Sequence, residues 1–170
     1  SPMLSNLVMR ETDKAIAKIA RDAGLTYTRY SDDITFSTTE DFNRTKAMSV
    51  VRATTAALRA IGLMVNERKT KIVPPGARKI VLGLLVDGDE PKLTREFRDS
   101  LRQHLYYAAK FGPEAHRNRR EFDSVAGLYR HLRGLVDFSK SVDTAFHAEM
   151  RAELDAIAWS LDESPISDTE

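Results

Sequence analysis

Two aspartates stand side by side, Asp32 and Asp33, inside the run TYTRYSDDITFS from Thr26 to Ser37. Aromatic and β-branched residues flank them, which predicts strand on either side. Buried in mid-strand without partners, two adjacent carboxylates would be costly, and a regular strand would point them to opposite faces. At the tip of a hairpin both can sit near one exposed site. Carboxylates held at such an edge suit a hard divalent cation such as Mg²⁺. Two such ions roughly 3.5–4 Å apart stabilise the attacking and leaving oxygens of phosphoryl transfer. A solvated turn uses the same residues, because Asp favours turns for backbone reasons. The cationic side chains form a second set. Arg95, Arg98 and Arg102 share one helical face, Arg117, Arg119 and Arg120 are expected in the loop that follows, and Arg130 and Arg133 lie one turn apart. Such groups contact phosphates without regard to base sequence, or they pair with Glu96, Asp99 or Asp123. His104, His116, His131 and His147 show no metal-ligand spacing and read as structural or surface residues.

The elements that must position these groups follow from periodicity and punctuation. Ser1-Pro2 suits the start of a helix. Leu4, Leu7, Val8, Ile16, Ile19, Ala20 and Ala23 keep helical spacing up to Gly24. Leu25–Arg29 and Ile34–Ser37 read as strands joined through Tyr30-Ser31-Asp32-Asp33, a hairpin with acids at its tip. Phe42–Ile61 reads as a helix with Ala47, Val51, Thr54, Leu58 and Ile61 on its core face, and Ser37 and Glu40 have capping-box spacing near its start. Short extended runs are expected at Leu63–Val65 and Lys71–Val73, a turn at Pro74-Pro75-Gly76, and an apolar strand over Lys79–Val86. After Pro91 three helices are predicted: Thr94–Phe111, Arg119–Phe138 and Val142–Leu161. Their stripes begin at Phe97, Phe122 and Phe146. The fold class is therefore α+β, with β-hairpins packed on helices over residues 1–91 and a helical bundle over 92–162. Residues 163–170 form an acidic tail expected to be disordered.

Composition sets the outer bounds. The chain has 170 residues, 42% hydrophobic and 30% charged, the profile of a soluble globular protein. No apolar run reaches the length of a membrane span, and no signal peptide is visible. Without cysteine there is no disulfide or thiolate metal site, which fits a reducing cytoplasm. The net charge of +1 divides unevenly, with +5 over residues 92–140 and −7 over 141–170. A basic middle suits a polyanion, although solvated helix faces give the same pattern.

RYSDDITFS resembles the catalytic hairpin of reverse transcriptases, and most of all that of the bacterial retron type. SPMLSNLVM is similar to the end of the family's preceding motif, GLMVNERKTKIV to the next one with Asn66, Lys69 and Thr70 in the expected places, and IVLGLLVDG to the hairpin that grips the primer. At that hairpin retron enzymes often read Val-Thr-Gly, whereas this chain has Val81-Leu82-Gly83. The resemblance implies a partial polymerase palm followed by a thumb. It implies RNA-directed DNA synthesis, with an RNA template, a DNA primer and dNTP as partners and two Mg²⁺ ions as cofactors. It assigns Asp32 and Asp33 as metal ligands and catalytic residues, with Lys69 near the triphosphate as a proton donor to pyrophosphate. Ser5, Asn6, Tyr30 and Ser31 would border template, primer end and nucleotide, and Gly83 would let the primer approach. Arg95, Arg98 and Arg102 would meet phosphates from the thumb. Each has a plainer reading: packing for Tyr30, helix capping or surface for Ser5 and Asn6, a solvated lysine for Lys69, a β-bulge for Gly83.

The family's site needs a third carboxylate from a strand well before the Ser1-Pro2 helix, and its fingers also lie upstream. The expectation is a fragment of a longer enzyme, or one half of a split enzyme completed by a second chain, that does not polymerise alone. Rival readings are a non-catalytic nucleic-acid-binding module and, more weakly, a metal-dependent nuclease. Retron-type enzymes work with a structured RNA in phage defence, while group II intron and diversity-generating enzymes share parts of the pattern.

Overall fold

The computed structural model of the chain describes residues 2–160. In chain order the elements are α1 (Pro2–Asp22), β1 (Thr26–Tyr30), β2 (Asp33–Ser37), α2 (Arg44–Ala60), β3 (Ile80–Val81), β4 (Leu84–Leu85), β5 (Lys92–Leu93), α3 (Arg95–Phe111), α4 (Pro113–Arg119), α5 (Val125–Lys140) and α6 (Thr144–Ala156). Helices and small antiparallel sheets make this an α+β chain. Its contacts divide between Leu82 and Gly83 into two compact units, so β4 and β5 belong with the helices that follow. None of the described helices is long and apolar enough to cross a membrane.

In the first unit α1 packs on α2 and on β1. The core is Met9, Ile16 and Leu58, with Tyr27, Ile34, Phe36, Ala57 and Val65 packed against it. The buried face of α1 is therefore Met9, Thr12, Ile16 and Ala20, a set at helical spacing. This corrects the expected stripe at its N-terminal end, because Leu4, Leu7 and Val8 are exposed. β1 and β2 pair antiparallel from Thr26↔Ser37 to Tyr30↔Asp33. The start of α2 is capped by Asn43, whose side chain accepts from the Lys46 amide, and not by the Ser37–Glu40 capping box. The extended runs at 63–65 and 71–73 are not strands. The chain spends part of this segment on a turn in which the Lys69 and Thr70 amides both donate to the Asn66 carbonyl.

The strand expected over Lys79–Val86 is broken in two. Leu82 and Gly83 have φ of 50° and 80°, the paired positive angles of a tight turn. Beyond it β4 and β5 pair through Leu84↔Leu93 and Leu85↔Lys92. Three long helices enclose the second core, with Leu101, Leu105 and Ala108 from α3, Leu128, Leu132 and Val136 from α5, and Phe146, Met150 and Leu154 from α6. Fully burying each large side chain contributes roughly 1.5–3 kcal/mol, so this core holds the unit together. α3 is capped by Thr94, α5 by Ser124 and α6 by Asp143, each accepting from a first-turn amide. The helix expected from Arg119 starts instead at Val125, and Arg117 and Arg119 lie on the short helix α4 and not in a loop. Leu161 and the acidic tail fall outside the described residues, as does the Ser1 cap.

Candidate active site

The hairpin turns more tightly than a four-residue tip. Tyr30 and Asp33 are themselves paired strand residues, leaving a two-residue turn of Ser31 and Asp32. Ser31 has φ 54°, the left-handed region that most side chains avoid. Asp32 lies in the turn and Asp33 opens β2, and both are exposed. The cost of burying adjacent charges therefore does not arise. Tyr30 beside them is 66% exposed, too open for a simple packing role.

What holds the turn is a residue that the sequence did not single out. Arg29 precedes Tyr30, points its guanidinium toward α1, and is only 9% exposed. Its Nε donates to Asp13 Oδ1 at 2.9 Å and its Nη2 to Asp13 Oδ2 at 2.7 Å, a bidentate pair. The same Nη2 donates to Asn6 Oδ1 at 3.1 Å. Nη1 donates to the Ser31 carbonyl at 2.6 Å, which also accepts from Ser5 Oγ at 3.1 Å. Tyr27 completes the cluster by donating its hydroxyl to Asp13 Oδ1 at 2.6 Å. The hydrogen bond from Arg29 holds the Asp13 carboxyl below the usual carboxylate range, with the Tyr27 hydroxyl adding to the effect. Burial pushes the Tyr27 phenol up, and its bond to Asp13 pushes it further. Arg29 is held all the more firmly protonated by Asp13.

Ser5, Asn6, Tyr30, Ser31, Asp32 and Asp33 are thus gathered at one end of α1 and the hairpin. Ser5 and Asn6 spend their side chains on the hairpin's own support. Lys69 is exposed in the turn after Asn66. Gly83, in the second unit, needs its φ of 80° and has open space where a Cβ would lie. Arg95 is 89% exposed and pairs with Asp99 on its own helix. Arg98 pairs with Asp143, and Arg102 pairs with Glu149 at 3.1 Å. Both guanidinium groups lie over the Phe146 ring, 4.8 and 5.1 Å from its centroid. Those two arginines therefore fasten α3 to α6. The histidines bear out a structural reading in one case: His104 Nδ1 and His116 Nε2 lie 2.9 Å apart in the helical unit, both rings buried.

The donor set at the tip suits a hard cation only in part. Asp32 and Asp33 offer exposed carboxylate oxygens, the ligand type Mg²⁺ takes, and that ion commonly binds one or two carboxylates together with water and substrate phosphates. Among the described residues no group of three or more His, Asp or Glu side chains could hold a metal. Two of the residues missed in the sequence, Arg29 and Tyr27, did leave a signal. They share the strand face that meets α1, and an arginine directed at a helix needs a carboxylate on it.

Comparison with known proteins adds an independent line. A family model for reverse transcriptase (RNA-dependent DNA polymerase) matches residues 1–98. The chain is 26% identical to the retron Ec86 reverse transcriptase of Escherichia coli over 167 residues, covering 98% of this chain and 47% of that protein. It is 35% identical over 145 residues to the retron Mx65 reverse transcriptase of Myxococcus xanthus, covering 84% and 30%. Against the retron Mx162 enzyme of the same organism it is 30% identical over 175 residues, covering 97% and 35%. The chain spans less than half the length of each of these relatives.

Proposed function

The chain belongs to the reverse transcriptase family, with retron enzymes among its relatives, and on that premise we propose that it carries the catalytic hairpin of an RNA-directed DNA polymerase. The carrying observation is the tip itself: Asp32 and Asp33 exposed on a two-residue turn that Arg29, Ser5 and Asn6 hold against α1. Asp32 and Asp33 would hold Mg²⁺, joined by a carboxylate from outside residues 1–170. Bound there, the ions would supply charge stabilisation for transfer of a nucleotide from dNTP to a primer 3′-hydroxyl. The chain's own residues present the acceptor site. Tyr30 offers an exposed ring beside the carboxylates for the primer end or nucleotide sugar. Lys69, exposed in the turn after Asn66, would protonate the departing pyrophosphate. Gly83 would admit the primer backbone. Arg95, together with Arg117, Arg119 and Arg120, supplies cationic groups for template and primer phosphates. Arg98 and Arg102, tied into the bundle, would act there chiefly by holding α3 in place. The domains would be a partial palm and a thumb, acting on a structured retron RNA in phage defence, in the cytoplasm. The isolated chain would not polymerise.

The test is Asp32→Ala in the polymerase completed by its remaining palm and fingers. Primer extension should fall by roughly a thousandfold or more, a loss of several kcal/mol of transition-state stabilisation, while RNA binding is retained. Unchanged extension would refute the assignment and favour a non-catalytic binding module.

A further inference from the structure

We propose that Arg29, clamped by Asp13, is a positioning residue that sets the Ser31-Asp32 turn and thereby the presentation of the two tip carboxylates. The inference rests on the reading of Asp32 and Asp33 as cation ligands. It assigns a role to two residues that touch neither nucleotide nor metal.

The Ser31 carbonyl accepts from two donors at once, Arg29 Nη1 at 2.6 Å and Ser5 Oγ at 3.1 Å. That carbonyl belongs to the peptide joining Ser31 to Asp32. Fixing its plane fixes the direction in which Asp32 leaves the backbone. Ser31 also sits at φ 54°, a conformation that is unfavourable for a residue with a Cβ and persists only when its surroundings impose it. The two-residue turn between paired Tyr30 and Asp33 requires it, and the two donors hold the peptide that follows. Arg29 is at 9% exposure, and its donors are taken up by Asp13, Asn6 and Ser31. It is therefore not a group that reaches for a ligand.

Asp13 contributes in a second way. A guanidinium close to two carboxylates would draw them into ion pairs and compete with a cation for their oxygens. Asp13 occupies the Nε–Nη2 edge of the guanidinium at 2.9 and 2.7 Å and balances its charge, which leaves the exposed tip carboxylates free of that competition. A lysine could keep the charge but not the planar fork that reaches Asp13 and the carbonyl together.

The test uses the chain itself and needs no turnover. Amide resonances of Ser31, Asp32 and Asp33 would be compared by NMR in wild type, Arg29→Lys, Asp13→Asn and Ser5→Ala, and Mn²⁺ affinity would be followed by electron paramagnetic resonance. Arg29→Lys should shift the three tip amides and weaken Mn²⁺ binding roughly tenfold, as losing an outer support of a metal ligand does, while the amides of Ile16 and Leu58 stay in place. Ser5→Ala, which removes a single hydroxyl, should shift the same amides by less, and it guards against Arg29→Lys failing to fold. Tip amides that stay put in every folded variant, with only the melting temperature lowered, would reduce the cluster to a structural tie and overturn the inference. Asp32→Asn separates the two ideas. If it leaves Mn²⁺ binding unaltered, the cation reading of the tip fails, while the amide shifts still decide whether Arg29 sets the turn.

Discussion

At the scale of single residues, the hairpin shows how a half-buried charged cluster is held by mutual pairing. Arg29 and Asp13 lose part of their hydration together, and the bidentate pair and the Tyr27 hydroxyl take its place. Tyr27 is the least conspicuous member and gives a clean test. Tyr27→Phe keeps the ring against Phe36, 5.7 Å away between centroids, and removes only the hydroxyl that donates to Asp13. Hydrogen bonds to a charged group contribute about 1.5–3 kcal/mol. Urea unfolding of the variant should show a loss of that order, and NMR titration should find the Asp13 carboxyl moved up toward its ordinary value. A loss within error would mean that water replaces the hydroxyl. The two aspartates were legible in the sequence because adjacent acids in an aromatic strand contradict ordinary burial. Arg29 left only the partial signal of its strand face and Asp13 left none, because each alone is an unremarkable charge and only the fold brings a strand arginine onto a helix carboxylate.

At the scale of elements, periodicity served the helices well and local chemistry decided their ends. The stripe of Phe97, Leu101, Leu105 and Ala108 lies against the core as its spacing requires. α1 misled, because its N-terminal leucines keep helical spacing yet lie on a face that the first unit leaves exposed. Amphipathicity reports that a face is apolar, not what covers it. The short helix α4 carries Pro113 at its first position after Gly112, a start signal that the reading of three helices after Pro91 leaves unused. Capping produced the other correction. Asn43 caps α2 by accepting from the Lys46 amide at 3.0 Å, so Asn43→Ala should destabilise the first unit by about 1 kcal/mol, and Asn43→Asp by much less. Ser37→Ala and Glu40→Ala, by contrast, should leave helix stability nearly unchanged. Thermal unfolding followed by circular dichroism compares the four.

At the scale of the whole molecule, the two units should answer acid differently, because different groups are perturbed in each. In the second, burial lowers the His104 pKa to about 4, with the nearby Arg120 adding to the effect, and burial also lowers His116. Both rings are therefore neutral in the folded state at pH values where the unfolded chain would protonate them. Their contribution is fully present above the ordinary histidine range near 6.5 and is lost as pH falls from there toward 4. For His104 alone the loss between pH 7 and pH 5 is about 2 kcal/mol. The carboxylates with lowered pKa, Asp13 in the first unit and Asp143 in the second, act in the same direction but over a lower window: their stabilisation persists above about pH 4 and disappears only below it. At pH 5 the helical unit should thus be weakened while the hairpin unit is not. The sole tryptophan, Trp159, packs on Tyr129 and donates to the Leu154 carbonyl, so its fluorescence reports the helical unit alone. Urea midpoints read by Trp159 should drop from pH 7 to pH 5, while amides of Ile16 and Leu58 hold theirs. His104→Gln, which keeps a hydrogen-bonding side chain but cannot titrate, should flatten the tryptophan response. If the midpoints of both units fall together in the wild type, or the response survives His104→Gln, the acid sensitivity does not arise from this buried ring.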